Sequence, residues 1–312
     1  MTGILKNWTE EHSAKFQKEI LAFKHGLKET GLFSDEALID LLNKHPKNLL
    51  DVCTMGKIDC EYYPNKFQTG DFRDVNGSVL LEAAKAGKVW INVRRGMNVH
   101  PEYKELLDKM YGGIAKHTGN KAYNANGGIL ISSPIAKVPY HFDKTETILW
   151  HVRGKKRMYL YPLTEKFIPD RAYEATLLSD LEDDLPYHAD YDKDATVIDF
   201  EEGDALTWPL NMPHRVENQA FCVSVTTEYS TRESAMKNAA MIANATLRHR
   251  FGVESSYSKA GPLNRQIKSV FGRVIRKAGL AAKDDRIDLV TFKIDPDAPN
   301  YIVNVEPYQR DF

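Results

Sequence analysis

Cysteine is scarce in this 312-residue chain: only Cys53, Cys60 and Cys222 occur, and no two of them form a C-x-x-C pair. That excludes a disulfide framework and a thiolate zinc knuckle, and it fits a reducing compartment. No apolar run approaches the roughly 20 residues that a membrane span requires. The opening residues 1–8 are short and polar, unlike a secretory signal, so the expected location is cytoplasmic. No charge of one sign prevails either: 42 Lys and Arg stand against 43 Asp and Glu, for a formal net charge of −1. A general nucleic-acid binder is normally strongly basic and has no footing here. There is no internal repeat and no low-complexity stretch. What is present is an ordinary globular balance of 42% hydrophobic and 27% charged residues.

Three regions emerge along the chain. Residues 1–87 read as a helical region packing on a core. Thr9 caps a helix that carries Phe16, Ile20, Phe23 and Leu27, and a second helix runs from Ser34 to before Pro46. Residues 51–77 are turn-rich, and a short helix runs from Ser78 to Gly87. Residues 88–230 are expected to hold the catalytic barrel. KVWINVRR alternates like a strand, Pro101 opens a long helix, and from residue 128 short β-branched and aromatic runs follow one another between turn signals. The second half of the insert between Tyr161 and Ala195 is acidic, with Asp180, Glu182, Asp183, Asp184, Asp190, Asp192 and Asp194. Residues 231–312 return to helices and end in a hairpin. One stripe there is Met236, Ala239, Ala240, Ala243 and Leu247, and another is Ile267, Val270, Val274 and Ile275.

The chemistry concentrates in His141-Phe142-Asp143, followed by His214. Two histidines and one carboxylate on one face of an octahedron leave open positions, the ligand set of non-haem Fe(II) oxygenases. Residues i and i+2 of a strand project to the same side, which suits H-x-D. A second copy, His188-Ala189-Asp190, lies in acidic, strandless surroundings. Taking Gly154-Lys155 as a two-residue hairpin loop would pair Arg153 with Lys156 and put Lys156 on the face of His141, Asp143 and Thr147. A buried cation there needs an anion, and a dicarboxylate with one end on a metal would supply it.

From Lys88 to Tyr229 the chain resembles the Jumonji-C group of cupin-fold Fe(II)/2-oxoglutarate oxygenases, and within it most closely the asparaginyl hydroxylases that inhibit hypoxia-inducible factor. The matching residues are His141 and Asp143, then G-x-K-R at Gly154 to Arg157, Tyr161-Pro162, and G-D-x-L-x-x-P from Gly203 to Pro209 ahead of His214. The resemblance implies a double-stranded β-helix (cupin) core, mainly β, with N-terminal and C-terminal helices. It implies Fe(II) on His141, Asp143 and His214, 2-oxoglutarate reaching Lys156 with Thr147 near its metal-bound end, and O2 as co-reactant. The activity implied is hydroxylation of an unactivated C–H bond with release of succinate and CO2. Val138, Trp90 and Glu228 stand where that group carries a small polar residue, a tyrosine and an asparagine. Ser132 and Thr226 are taken as substitute cosubstrate contacts, and Asn92 and Trp90 as pocket-lining residues.

The rival from another class is a cupin that binds a ligand or partner without turnover, since fold alone does not set function. A small-molecule or peptide substrate is expected, with no membrane or nucleic-acid partner. A homodimer through the C-terminal helices is expected, because the resemblance implies it and two apolar stripes need cover.

Overall fold

The computed structural model describes residues 3–55, 67–179, 185–280 and 289–310. Its strands are β1 (Leu5–Lys6), β2 (Leu21–His25), β3 (Leu50–Met55), β4 (Phe67–Asp71), β5 (Val89–Val93), β6 (Tyr123–Ser132), β7 (Lys137–His141), β8 (Glu146–Arg153), β9 (Lys156–Leu160), β10 (Thr196–Phe200), β11 (Asp204–Thr207), β12 (His214–Asn218), β13 (Cys222–Ser230), β14 (Leu289–Ile294) and β15 (Ile302–Gln309). The helices are α1 (Glu10–Lys15), α2 (Asp35–Lys44), α3 (Gly77–Ala86), α4 (Gly96–Val99), α5 (Pro101–Thr118), α6 (Asp170–Ser179), α7 (Arg232–Phe251) and α8 (Pro262–Lys277). One sheet has eleven strands in the order β1-β2-β11-β8-β13-β6-β5-β3-β4-β14-β15, and the second has four, β10-β9-β12-β7. From β6 to β13 the chain passes back and forth between the two sheets. That is the double-stranded β-helix core, mainly β with helical flanks.

Side-chain alternation separates three cores. On β8, Ile148, Trp150 and Val152 point away from the second sheet, into a core shared with the N-terminal helices. Leu149 points the other way and meets Met158, Leu160, Phe200, Leu206, Trp208 and Val216 in the barrel interior. Tyr140, Phe142, Tyr161, Phe167, Tyr173, Leu185 and Met241 form a third cluster, which binds the insert and α7 to the outside of the small sheet. Burial of a large side chain contributes about 1.5–3 kcal/mol, so each cluster holds its layer firmly.

Several expectations need correction. The first helix stops at Lys15, because Gln17 takes a left-handed φ of 58°. Leu21, Phe23 and His25 then alternate as buried residues of β2, which pairs with β11. Tertiary pairing overrides the helical spacing of Phe16, Ile20, Phe23 and Leu27. Part of the turn-rich stretch forms β3 and β4, an extension of the large sheet. Gly154 and Lys155 make no hairpin. Arg153 pairs with Val223, whereas Lys156 pairs with Phe200 and Asn218 in the other sheet. The corner needs Gly154, which sits at φ +90°, and a Cβ there would lie 2.0 Å from the Phe221 carbonyl oxygen.

The insert is more ordered than its composition suggests. It contains α6, and Asp192 accepts hydrogen bonds from Tyr161, Tyr187 and Arg215. Asp190 pairs with Lys193 and Asp194 with Lys166, so these acids form a compensated surface. Asp180, Glu182, Asp183 and Asp184 lie outside the described residues, as does Cys60. The terminal hairpin is present as β14 and β15. None of the described helices is long and apolar enough to cross a membrane.

Helices α7 and α8 approach closely enough that a Cβ on Gly272 would lie 1.7 Å from the Ala239 carbonyl oxygen. Gly272→Ala therefore forces the helices apart. It is expected to lower stability by about 1–3 kcal/mol, read as a fall in the denaturant midpoint; an unchanged midpoint would contradict this packing.

Candidate metal centre

His141 is the last residue of β7, and His214, the first of β12, is its cross-strand partner. Asp143 lies just beyond β7, in the turn to β8, so the H-x-D pair straddles a strand end. The three side chains nonetheless converge. One potential ligand atom from each lies within 4.8 Å of the others, the only such group of three among the described residues. The second copy does not assemble: His188 is exposed and Asp190 is paired with Lys193.

Hydrogen bonds prepare both imidazoles for a metal. His141 Nδ1 lies 2.8 Å from the Pro139 carbonyl oxygen and His214 Nδ1 lies 3.0 Å from that of Met212. A carbonyl only accepts, so each Nδ1 carries the proton and each Nε2 keeps its lone pair free. Burial, followed by the neighbouring His141 ring, holds His214 well below the usual histidine range, which keeps it neutral.

Asp143 supplies the test of fit. Its Oδ2 is sealed from solvent and has no hydrogen-bond partner among the described residues, and the nearest basic atom is His214 Nε2 at 3.8 Å. Burial pushes its carboxyl up, against the opposing influence of His141 and the Thr147 hydroxyl. A buried carboxylate beside two bare imidazole nitrogens is costly without a cation and well satisfied with one. These donors fit a divalent first-row metal with imidazole and carboxylate ligands.

Along β9 the inward side chains between the triad and Lys156, Leu160 and Met158, are apolar. Leu160 pairs with His214 and Lys156 with Asn218, so the lysine enters four residues further along, about 13 Å at strand rise. Lys156 is 4% exposed, burial pulls its pKa down, and no carboxylate lies within ion-pair reach among the described residues. The expected hairpin is not what turns Lys156 inward. Alternation on β9 (Lys156, Met158 and Leu160 inward) does what the supposed hairpin does not.

The other expected residues line the same inward face of the large sheet. Thr147 lies opposite Glu228, and Thr226 opposite Leu149 and Gly128. Trp90 pairs with Ser132, and Asn92 with Leu130. A Cβ built on Gly128 lies 3.1 Å from Thr226 Oγ1 and 3.8 Å from Asn92 Oδ1, so these two side chains flank a strip of bare backbone. Ser132 Oγ accepts from Asn218 Nδ2 at 2.8 Å, which leaves its hydroxyl proton free to donate.

Sequence reasoning put His151 on the metal face without a role, and missed Ser224, Asn218 and Asn211. His151 donates from Nε2 to the Gly154 carbonyl and so accepts from Ser224 at Nδ1. Burial and then the Lys156 charge bring its pKa down to about 3. The lysine thus keeps a neutral neighbour. The one available signal was Asn211 between Pro209 and Pro213, a residue type that tolerates a left-handed turn.

The barrel and its strand order place the chain in the double-stranded β-helix fold class. Among solved structures, it matches the X-ray structure of ycfD from Escherichia coli with a TM-score of 0.51 at 13% identity, covering 89% of this chain and 70% of that one. Another structure of that protein, a ribosomal oxygenase in complex with cobalt and 2-oxoglutarate, gives a TM-score of 0.49 at 13% identity over 89% of this chain and 69% of the other. No family model and no curated protein matches the sequence.

Asp143→Asn removes the buried charge. In chelator-treated protein the variant is expected to be more stable than wild type, by about 1–3 kcal/mol. Adding cobalt should then stabilise wild type alone. Thermal unfolding with and without chelator measures both effects, and a variant less stable than wild type in chelator would contradict an uncompensated carboxylate.

Proposed function

We propose that this protein is an Fe(II)/2-oxoglutarate-dependent dioxygenase that hydroxylates an unactivated C–H bond of a protein side chain, an amino acid or another metabolite. One observation carries the reading: a barrel closes around a two-histidine, one-carboxylate cluster at one end and, at the other, a buried lysine without an anionic partner among the described residues. Such an interior asks for a cation and a small dianion together. The barrel fold shared with the Escherichia coli protein is consistent with this. The narrower likeness to the asparaginyl hydroxylases rests on sequence motifs alone.

Iron, when bound, supplies the oxygen chemistry, and the protein supplies position and a dry pocket. His141 and His214 offer Nε2, Asp143 offers its orphaned oxygen, and these three would hold the metal from one side. Lys156 donates to the distal carboxylate of 2-oxoglutarate, with Ser132 placed to add a second donor. Thr147 and Thr226 line the path between. Leu149, Leu160, Leu206 and Val216 exclude water. Asn92 and Trp90, on the same sheet face, flank the way toward the prime substrate.

With iron, O2 and 2-oxoglutarate, purified protein is expected to release succinate. In Lys156→Ala the 2-oxoglutarate requirement should rise by roughly 10- to 150-fold, the equivalent of about 1.5–3 kcal/mol for a charge-assisted contact. An unchanged requirement would remove the lysine from the site. Tight binding of metal and cosubstrate without any succinate would favour the non-catalytic cupin, the reading that Val138, Trp90 and Glu228 suggest.

The same proposal includes a cytoplasmic homodimer, with the exposed face of α8 as its interface. The α7 stripe is already covered within the chain: Ala239, Ala240 and Ala243 are buried, and Met236 and Leu247 are half-buried. On α8 the face made by Leu263, Ile267, Val270, Phe271 and Val274 stands in solvent, with Ile267 60% exposed. Two copies of this face packed about a two-fold axis would cover it. Light scattering at micromolar concentration should show twice 35.5 kDa for wild type. Ile267→Glu should give the single mass, and a wild-type monomer would end the proposal.

A further inference from the structure

We propose that Asn211, braced by Tyr173 and Asn238, is a positioning joint that fixes the ligand geometry of the metal centre, an inference that rests on the metal reading above. Asn211 is 1% exposed and adopts φ +64°. The turn it makes presents the Met212 carbonyl to His214 Nδ1. Its side chain works in the opposite direction, with Nδ2 donating to the backbone carbonyl of Asp143 at 2.8 Å. One residue thus ties the His214 segment to the Asp143 segment. Glycine would make the same left-handed turn with less strain, so the amide is what asparagine adds.

The amide is held in turn. The Tyr173 hydroxyl, on α6, lies 3.0 Å from Asn211 Oδ1 and 2.6 Å from Asn238 Oδ1. Asn238, on α7, donates from Nδ2 to the Lys144 carbonyl at 2.6 Å. The Tyr173 ring also stands edge-on to Phe142, the residue between the two ligands, with centroids 4.7 Å apart. Burial pushes the Tyr173 phenol up, so it keeps its single proton and donates it to one or other of the two amide oxygens at a time. Flipping either amide would set an oxygen against a backbone carbonyl, so each has one satisfactory orientation. Residues 142–144 are therefore gripped at a ring and one carbonyl by α6 and α7, and at a second carbonyl by the loop between β11 and β12.

The test is a Co(II) titration of metal-free protein, read by ligand-field absorption, alongside the thermal midpoint of each apoprotein. Asn211→Gly keeps the turn and loses the amide; Tyr173→Phe keeps the ring and loses the donor, and guards against a glycine variant that fails to fold. Both are expected to bind cobalt about 10- to 100-fold more weakly, with a shifted spectrum. Wild-type affinity and spectrum in both variants would overturn the joint, whether or not the apoprotein midpoints fall, because a purely structural role moves only the midpoint. If wild type takes up no cobalt, or His141→Ala takes it up equally well, the metal reading fails first and the joint with it.

Discussion

The barrel encloses a carboxylate and an ammonium without pairing them. Asp143 and Lys156 are taken out of water, yet the lysine enters about four residues along the strand from the level of the triad, and neither finds an opposite charge among the described residues. Isolated buried charges cost several kcal/mol each, and a fold meets that cost only where something else restores the balance. A metal beside Asp143 and a dianion beside Lys156, as proposed, would restore both at once. The ligand set, the tautomers of His141 and His214, and the neutral His151 next to the lysine all follow from that one constraint.

The layers around the barrel make the constraint hold. Apolar walls from both sheets keep water from screening the two charges. Outside the small sheet, the tyrosine-rich cluster and α7 close over the turn that carries Asp143. The ligands come from a strand end and a loop, places where backbone is ordinarily loose. Sheet pairing fixes His141 and His214, and side-chain amides and backbone carbonyls add to it at the Asp143 turn. That arrangement leaves the metal-facing side open while the backbone behind it is clamped.

Most of the core strands were legible because β-branched and aromatic runs between turn signals report local geometry, but the run from Tyr140 to Val152, which reads as one strand, divides into β7 and β8 in different sheets. The triad was legible from H-x-D and a distant histidine, and its burial then separated it from the His188 copy. Long-range pairing was not legible. Phe23 and Leu27 keep helical spacing, but Leu21, Phe23 and His25 also alternate, and only β11 decides between the two patterns. Gly154-Lys155 looks like a hairpin because nothing local records that the chain is crossing between sheets. The bracing by Tyr173, Asn211 and Asn238 joins residues up to 94 positions apart through amide groups, a type of contact without periodicity. The α8 face was visible as a stripe, but which of the two stripes stays uncovered depends on how α7 and α8 pack.

Interdependence of the two missing charges is the most direct consequence. Calorimetric titration of 2-oxoglutarate into anaerobic protein, with and without a divalent metal, measures it. Metal should tighten 2-oxoglutarate strongly, and by linkage 2-oxoglutarate should tighten the metal by the same factor. Equal binding with and without metal, or no binding in either case, would contradict a barrel built around a cation and a dianion.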